Sequence, residues 1–507
     1  MAVSDASAGL EASAGLEDTE TQAATRGLFF RTFPSIMLPM FLAAVDQTIV
    51  STALPNIARS LGDVERVSWV VISYLLASTI AAPVYGRLGD SLGRKRLMFA
   101  ALGLFVTASL LCAIAPSMIL LSAARVLQGL GGGGLMTLSQ ALVGEAVPPR
   151  QRGRYQGYLA SVFMVSSTFG PVAGGWLTQH FGWRSVFLIN LPLGLVAMVL
   201  AARLQTRPGS GSRTGFDWIG LALFALFVIP VLLALERAQR PDIAAIPAMG
   251  ALLAVGVGAL VLLLRQERRS AGPLIPVNLL REPSIWRADA MGACVGAMIV
   301  SGVTFMPIYL QVVRGVPPGG VGLLLLPLTA GIAVGSLLTG RAITRTGWTA
   351  VFPSYGLPVV VATWVALAVL APALPVWVLP AMFLVLAISM GTAMPVVQTT
   401  VQGLAGRKNL GAASASVQFS RSIGAAVGTA LVGAVLFAGL ALQDPATARL
   451  FAEIVERGPA VLAGFGDARR LAVAREVAAA FRAAFLAVGA FGALACLLAW
   501  TLPTRRI

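Results

Sequence analysis

Three ionisable side chains stand inside long apolar stretches of the chain: Asp46, Arg125 and Arg421. A charge at the centre of a bilayer costs about 2.5–3.5 kcal/mol on insertion scales, so such residues are functional candidates by default. Asp46 lies in Leu42-Ala-Ala-Val-Asp46-Gln-Thr48-Ile-Val-Ser-Thr-Ala-Leu54-Pro55. On a helix it shares a face with Ile49, Val50 and Ala53. A carboxylate on a helix that faces a cavity can take up and release a proton, because burial and a nearby cation act on it in opposite directions. Arg125 shares a helical stripe with Gln128, Gly129, Gly132 and Met136, and is the cation that would act on such a carboxylate. An Asp46–Arg125 pair that only sets helix packing is the plainer reading, and both stand at this point.

Gly131-Gly-Gly-Gly134 follows Arg125 within the same apolar stretch. Each glycine weakens a helix by about 1 kcal/mol relative to Ala, so the run belongs where another helix or a substrate comes close. Gly170-Pro171-Val-Ala-Gly174-Gly175 combines an i,i+4 glycine groove with a proline that removes one backbone bond; ordinary small-residue packing would use the same residues. Between two apolar runs lies Gly86-Arg87-Leu-Gly89-Asp90-Ser-Leu-Gly93-Arg94-Lys95-Arg96. Its basic residues satisfy the positive-inside rule. Asp90 does not, and a carboxylate there can complement the N-terminus of a neighbouring helix. Glu145 with Arg150, Arg152 and Arg154 makes a second charged cluster on the same side, so the two together read as a salt-bridge latch that forms in one state and breaks in another.

The rest of the chemistry is sparse. His180 is the sole histidine, Cys112, Cys294 and Cys496 lie in apolar runs, and no residues have metal-ligand spacing. No nucleophile–base pair and no Gly-x-x-x-x-Gly-Lys-(Ser/Thr) loop is present, so neither an enzyme nor an ATP-driven machine is expected.

The elements that position these residues follow from composition. Of 507 residues 57% are hydrophobic and 11% charged, with mean hydropathy +0.83. An ordinary soluble domain carries about 25% charged residues; this chain cannot cover a soluble surface. The net charge of +16 is no sign of nucleic acid, since the basic residues fall in the short gaps between apolar runs. An all-α polytopic membrane protein remains. Fourteen runs reach the ~20 residues a span needs, near 34–56, 68–87, 97–115, 117–140, 157–178, 185–203, 217–236, 244–264, 288–312, 320–342, 350–371, 375–402, 411–440 and 481–502. With the N-terminus inside, about 23 basic residues fall on the cytoplasmic side and about six in the short outer loops, so both termini are expected in the cytoplasm. Residues 1–32 read as a disordered cytoplasmic tail. Segment 441–480 mixes charges with apolar residues at helical spacing and reads as an extracytoplasmic amphipathic insertion, two short helices broken at Gly458–Pro459 that cap the surface or gate a substrate.

The loop at Gly86 to Arg96 resembles the cytoplasmic signature of the major facilitator superfamily. Arg125-x-x-Gln128-Gly129 resembles its fourth-helix motif, and Gly170-Pro171-x-x-Gly174-Gly175 the fifth-helix motif of its antiporter branch. Asp46-x-Thr48-Ile49-Val50 with Ala53-Leu54-Pro55, and Trp183-Arg184 with Phe187-Leu-Ile-Asn190-x-Pro192, are similar to the fourteen-helix drug:proton antiporters of the EmrB/QacA type. The resemblance covers chiefly the N-terminal half. It implies a major facilitator fold: two six-helix bundles, at 33–204 and 285–507, related by a pseudo-two-fold axis, with two extra helices and their linkers at 205–284. It further implies rocker-switch alternating access, Asp46 as proton-coupling carboxylate, Arg125 as coupling residue, Gly86, Asp90, Gly93, Arg94, Glu145 and Arg154 as a cytoplasmic gate, and export rather than uptake. The matching loop of the second half, Gly340-Arg341-Ala-Ile-Thr-Arg345-Thr-Gly347, lacks the acid.

The cavity-facing spans of the C-terminal half are read as carrying no acid at depth. Tyr309, Met394, Gln398, Gln418 and Arg421, with Gln128 and Met136 from the other half, are the candidates for a cavity that suits amphipathic or weakly charged compounds. The expected function is proton-coupled export of amphipathic drugs or toxic compounds from a bacterium across its cytoplasmic (inner) membrane, with no cofactor beyond the proton gradient. The alternative is export of one metabolite or siderophore. Expected partners are the substrate, protons and the lipid bilayer; the chain is expected to be monomeric, and the resemblance leaves room for a periplasmic adaptor.

Overall fold

The computed structural model describes residues 33–63, 66–204, 216–238, 246–270, 272–274, 277–457, 461 and 465–506. The expected N-terminal tail, the linker at 205–215 and the break at Gly458–Pro459 lie outside the described residues. Among the described residues the chain is helical throughout, with one isolated bridge between Trp348 and Arg506 as its only strand-like pairing.

The N-terminal half contains α1 (Phe33–Leu61), α2 (Trp69–Leu92), α3 (Arg94–Ile114), α4 (Met118–Ala146), α5 (Arg152–Phe181) and α6 (Ser185–Ala202). Then come α7 (Trp218–Arg237) and α8 (Ile246–Arg269). The C-terminal half contains α9 (Pro283–Val312), α10 (Pro318–Thr346), α11 (Val351–Leu370), α12 (Val376–Ala405), α13 (Leu410–Gln443), the short α14 (Pro445–Arg457) and α15 (Asp467–Trp500). Turn chemistry sets several boundaries. Gly93, at φ +98°, turns the chain between α2 and α3, and Gly347, at φ +73°, caps α10 in the left-handed region. Asp217 caps α7 by accepting the Gly220 N–H at 2.7 Å.

Thirteen of these helices are long and apolar enough to cross a membrane, by length and composition. The fifth expected span falls on α5, which has the length at 30 residues but is more polar than the others. Its Ser161, Ser166, Ser167 and Thr168 hydroxyls are spent on carbonyls one turn back.

Two seams join the halves: α5 lies along α10, and α2 along α13. Glycines set both. A Cβ on Gly157 would stand 2.8 Å from the Ser336 carbonyl oxygen, and one on Gly86 would stand 2.6 Å from that of Gly411. The four-glycine run of α4 serves helices, not a substrate: Gly131 abuts Ala101 and Phe105 of α3, and Gly133 abuts Ser78 of α2. The pair α7–α8 leans on the α2–α13 seam, where Phe224 meets Phe419 with ring centroids 5.1 Å apart.

The expected pair of short helices over 441–480 is corrected. Only α14 is separate; the chain from Asp467 onward continues without a break into the last long helix. No bilayer boundary obliges a helix to end, so the span expected from 481 gains about four turns. Phe451 and Ile454 of α14 are buried against the C-terminal core, and Arg469 donates to Asp444 at 3.1 Å. The Asp444 carboxyl is held down at about 2, first by the Ala446 backbone N–H and then by Arg469 and Thr447. A depressed folded pKa gives stability that is present above the unfolded value and lost as pH falls through the folded one. A spin label at Arg449→Cys is therefore expected to keep the same mobility from pH 7 to pH 5 and to loosen only as the pH approaches about 2.

Candidate functional site

Asp46 of α1 and Arg125 of α4 form an ion pair at the centre of the N-terminal half, with 0% and 1% of their side chains exposed. The expectation that Asp46 faces a cavity is not met in this conformation; it is enclosed. Three donors converge on its carboxylate. Arg125 meets Oδ2, while Gln128 Nε2 and Asn190 Nδ2 each donate to Oδ1 at 2.8 Å. Arg125 also donates through Nε to the Val70 carbonyl of α2 at 3.0 Å and to Gln128 Oε1 at 2.7 Å, and its Cζ lies 4.3 Å from the Tyr74 ring centroid. Ser109 of α3 accepts from Gln128 at 2.8 Å. One carboxylate thus ties together α1, α2, α3, α4 and α6. Asn190, within Phe187-Leu-Ile-Asn190-x-Pro192, joins this cluster without being one of its sequence-based candidates. It is uncharged and so carries no insertion cost; its only signal is a buried amide on a span.

Gly170 and Gly174 bring α5 against the same stretch of α1. A Cβ on Gly170 would strike Thr48, and one on Gly174 would strike Thr52 and the Ile49 carbonyl. Gly175 has open space around it, so it does not pack α1, and Pro171 is half-buried.

At the end of the halves that carries Arg94, Asp90 pairs with Arg94, and Arg94 pairs with Glu145. Asp90 also accepts the N–H groups of Gly411 at 3.0 Å and Ala412 at 3.1 Å, in the first turn of α13. A carboxylate from one half therefore caps a helix of the other. Gly86 and Gly93 supply the close approach and the turn that this needs. Arg154 stands apart, donating to the Tyr158 hydroxyl at 3.1 Å. Two further bonds close the same end: Gln402 Nε2 to the Gln140 carbonyl at 3.1 Å, and Arg152 Nη1 to the Gln402 carbonyl at 3.4 Å.

Between the halves is a cavity of about 440 Å³. Met394, Gln398, Gln418 and Arg421 line it. The other three candidates do not: Gln128 belongs to the Asp46 cluster, Met136 to the N-terminal core, and Tyr309 to the C-terminal core against Phe481 and Phe485. The wall adds Gln47, Gln140, Gln156, Phe163 and, from α7, Glu236.

Among the described residues no acid of the C-terminal spans lines the central cavity; a buried acid of those spans lies apart from it. Asp289, in the second turn of α9, is 4% exposed and lines a smaller pocket of about 150 Å³ with Phe224, Phe227 and Phe419. Neither of its oxygens accepts a hydrogen bond of good geometry; Ser416 beside it donates to the Ala413 carbonyl at 3.0 Å. A buried carboxylate without a donor is destabilising. Asp289→Asn is expected to raise the thermal midpoint of the purified protein or leave it unchanged, and a fall of about 5 °C or more would show that the carboxylate holds a partner. Among the described residues no group of His, Cys, Asp and Glu could hold a metal ion.

Two helical halves that meet along glycine seams around a central cavity, with thirteen helices able to cross a membrane, define the architecture of a polytopic membrane protein. The chain belongs to the major facilitator superfamily, whose family model matches residues 36–429. It is 34% identical over 408 residues to an uncharacterised MFS-type transporter of Mycobacterium tuberculosis, covering 80% of this chain and 59% of that protein's length. It is 30% identical over 407 residues to the multidrug transporter protein MdtP of Bacillus subtilis, covering 79% of this chain and 74% of the relative. The solved proton:xylose symporter XylE matches with a TM-score of 0.56 at 14% identity, over 94% of this chain and 97% of that one; the likeness is one of fold alone.

Proposed function

We propose that the protein is a proton-coupled antiporter that exports amphipathic compounds by alternating access. The observation that carries the reading is the enclosed Asp46, whose carboxylate is the acceptor for Arg125, Gln128 and Asn190. Protonating it removes the charge that holds these donors, and so loosens α1 from α4 and α6. Gly170 and Gly174 press α5 onto α1, and α5 lines the cavity and lies along α10 of the other half. A proton at Asp46 thereby reaches the substrate space and one seam between the halves. Arg125 supplies the counter-charge to the ionised carboxylate, and Asn190 holds it in place.

In this reading α5 is the fifth of fourteen crossings, α7 and α8 are the inserted pair, and both termini lie in the cytoplasm of a bacterium. The end closed by Asp90 is then the cytoplasmic one, and the cavity is shut to the cytoplasm. The relative named a multidrug transporter supports a broad substrate range.

The test is reconstitution into liposomes with an imposed pH gradient. Movement of an amphipathic dye that starts with the gradient, stops with a protonophore and is matched by proton flux is the expected result. Dye movement that ignores the gradient would overturn the coupling. A chain that moves no dye but does move one metabolite would turn the reading to the narrow-substrate exporter.

A further inference from the structure

Each half carries an arginine within a long apolar helix: Arg125 is fully buried and Arg421 half-buried, and among the described residues only Arg125 is paired with an acid. Arg125 is met by Asp46. Arg421 of α13 faces the central cavity, and among the described residues no acid pairs with it. Its Nη2 donates to Gln418 Oε1 at 2.9 Å, and its Cζ lies 4.9 Å from the ring centroid of Phe163, across the cavity on α5 of the other half. Glu236, the one acid among the described lining residues, sits at the end of α7, has interactions of its own and does not act on Arg421.

A guanidinium does not give up its proton, and Gln418 and Phe163 give Arg421 a hydrogen bond and a ring contact but no counter-charge. Half-buried on the cavity wall, its charge is open to an anion that enters the cavity. The fork geometry of a guanidinium matches a carboxylate bidentately. Gln418 stands beside it with a neutral amide, while Phe163, Met164 and Met394 offer an apolar and polarisable wall to the rest of the molecule. The backbone holds the arginine in place: a Cβ on Gly296 of α9 would collide with the Arg421 carbonyl, so the two helices are in direct contact at this turn.

We propose that Arg421 is the anion anchor of the central cavity and that the compounds it takes are amphipathic organic carboxylates. That these compounds are then exported rests on the antiporter reading; that they bind does not. The arrangement disfavours permanent organic cations at this point of the cavity, since a like charge would meet Arg421. A monoanion leaving the cell would also move with an inside-negative membrane potential rather than against it.

The test uses the full-length chain in nanodiscs and three probes with one hydrophobic body: pyrenebutyrate, its methyl ester and the corresponding trimethylammonium. Fluorescence anisotropy gives the affinities. The wild type is expected to bind the carboxylate at least about tenfold more tightly than the other two. Arg421→Gln is expected to abolish that preference and leave the ester within about twofold of wild type, while Arg421→Lys keeps part of it. Three results would overturn the assignment: no carboxylate preference in the wild type, a preference that survives in Arg421→Gln, or a loss of ester and carboxylate binding alike, which marks a merely structural arginine. The same probes in liposomes separate the two readings. Carboxylate binding without gradient-driven movement sinks the exporter and leaves the anchor, whereas driven movement of the cation with no carboxylate preference does the reverse.

Discussion

Asp46→Asn is expected to lower proton-coupled efflux by at least about a hundredfold, which corresponds to about 2.7 kcal/mol. An amide presents one acceptor oxygen and adds two N–H donors of its own. The site already supplies donors from Arg125, Gln128 and Asn190, so the new N–H groups face N–H groups. Arg125, 1% exposed, is also left without its counter-ion. Breaking one side of a buried pair costs about 3–5 kcal/mol in stability, whereas removing both charges is often neutral. The single variant therefore confuses loss of function with loss of fold, and Asp46→Asn with Arg125→Gln separates them. That double variant is expected to regain the thermal midpoint and to remain inactive. Efflux restored in the double variant would reduce the pair to helix packing and remove Asp46 from the coupling mechanism.

Asp90→Ala is expected to shift the molecule away from the conformation with the Arg94 end closed. The substitution deletes the acceptor for two backbone N–H groups of α13 and one side of the pair with Arg94. Hydrogen bonds to charged groups are worth about 1.5–3 kcal/mol each. If about 3 kcal/mol of this belongs to the closed state alone, the ratio of closed to open molecules falls by about 150-fold. Spin labels at Leu92→Cys and Lys408→Cys, in a background without the three natural cysteines, report the separation of the two halves at that end. A longer mean distance in Asp90→Ala is the expected outcome. An unchanged distribution would show that the seam glycines and the Gln402–Gln140 contact hold the end closed by themselves. Arg154→Ala serves as the comparison, since that side chain bonds Tyr158 and is expected to leave the distance alone.

What could be read from the chain beforehand divides along physical lines. Apolar runs of sufficient length stand out, because hydrocarbon tolerates nothing else, and each long helix except α15 begins and ends within about six residues of its expected span. Asp46 and Arg125 stand out for the same reason: a charge among apolar residues has a cost that demands an explanation. Asn190 bears no charge and raises no such alarm, although it touches the same carboxylate. Met136 and Tyr309 show the opposite difficulty. In a membrane helix an apolar side chain suits lipid, core and cavity alike, so hydropathy does not tell which face looks where, and both turned to the core. Asp289 escaped notice because it lies near the start of α9 beside Arg287, where an acid is expected to be wet; the packing of α7 and α8 over it is what makes it dry. The contact of Asp90 with Gly411 joins residues 321 positions apart and has no local signature at all.

The glycines of α4 have a consequence for how the protein is made. The run that lets α2 and α3 approach so closely leaves α4 much less apolar than α3, and α5 is less apolar still. During synthesis each segment partitions between the translocation channel and lipid according to its own hydrophobicity. By that measure α4 and α5 are poor candidates to enter the bilayer alone. They are also the two helices that carry Arg125 and the Gly170–Gly174 groove. The segments that carry the proposed coupling residues are thus the ones most dependent on their neighbours during biogenesis. A nascent chain ending after α4 is held in place by α2 and α3, and by Asp46, which offers Arg125 a counter-charge before the C-terminal half has been translated.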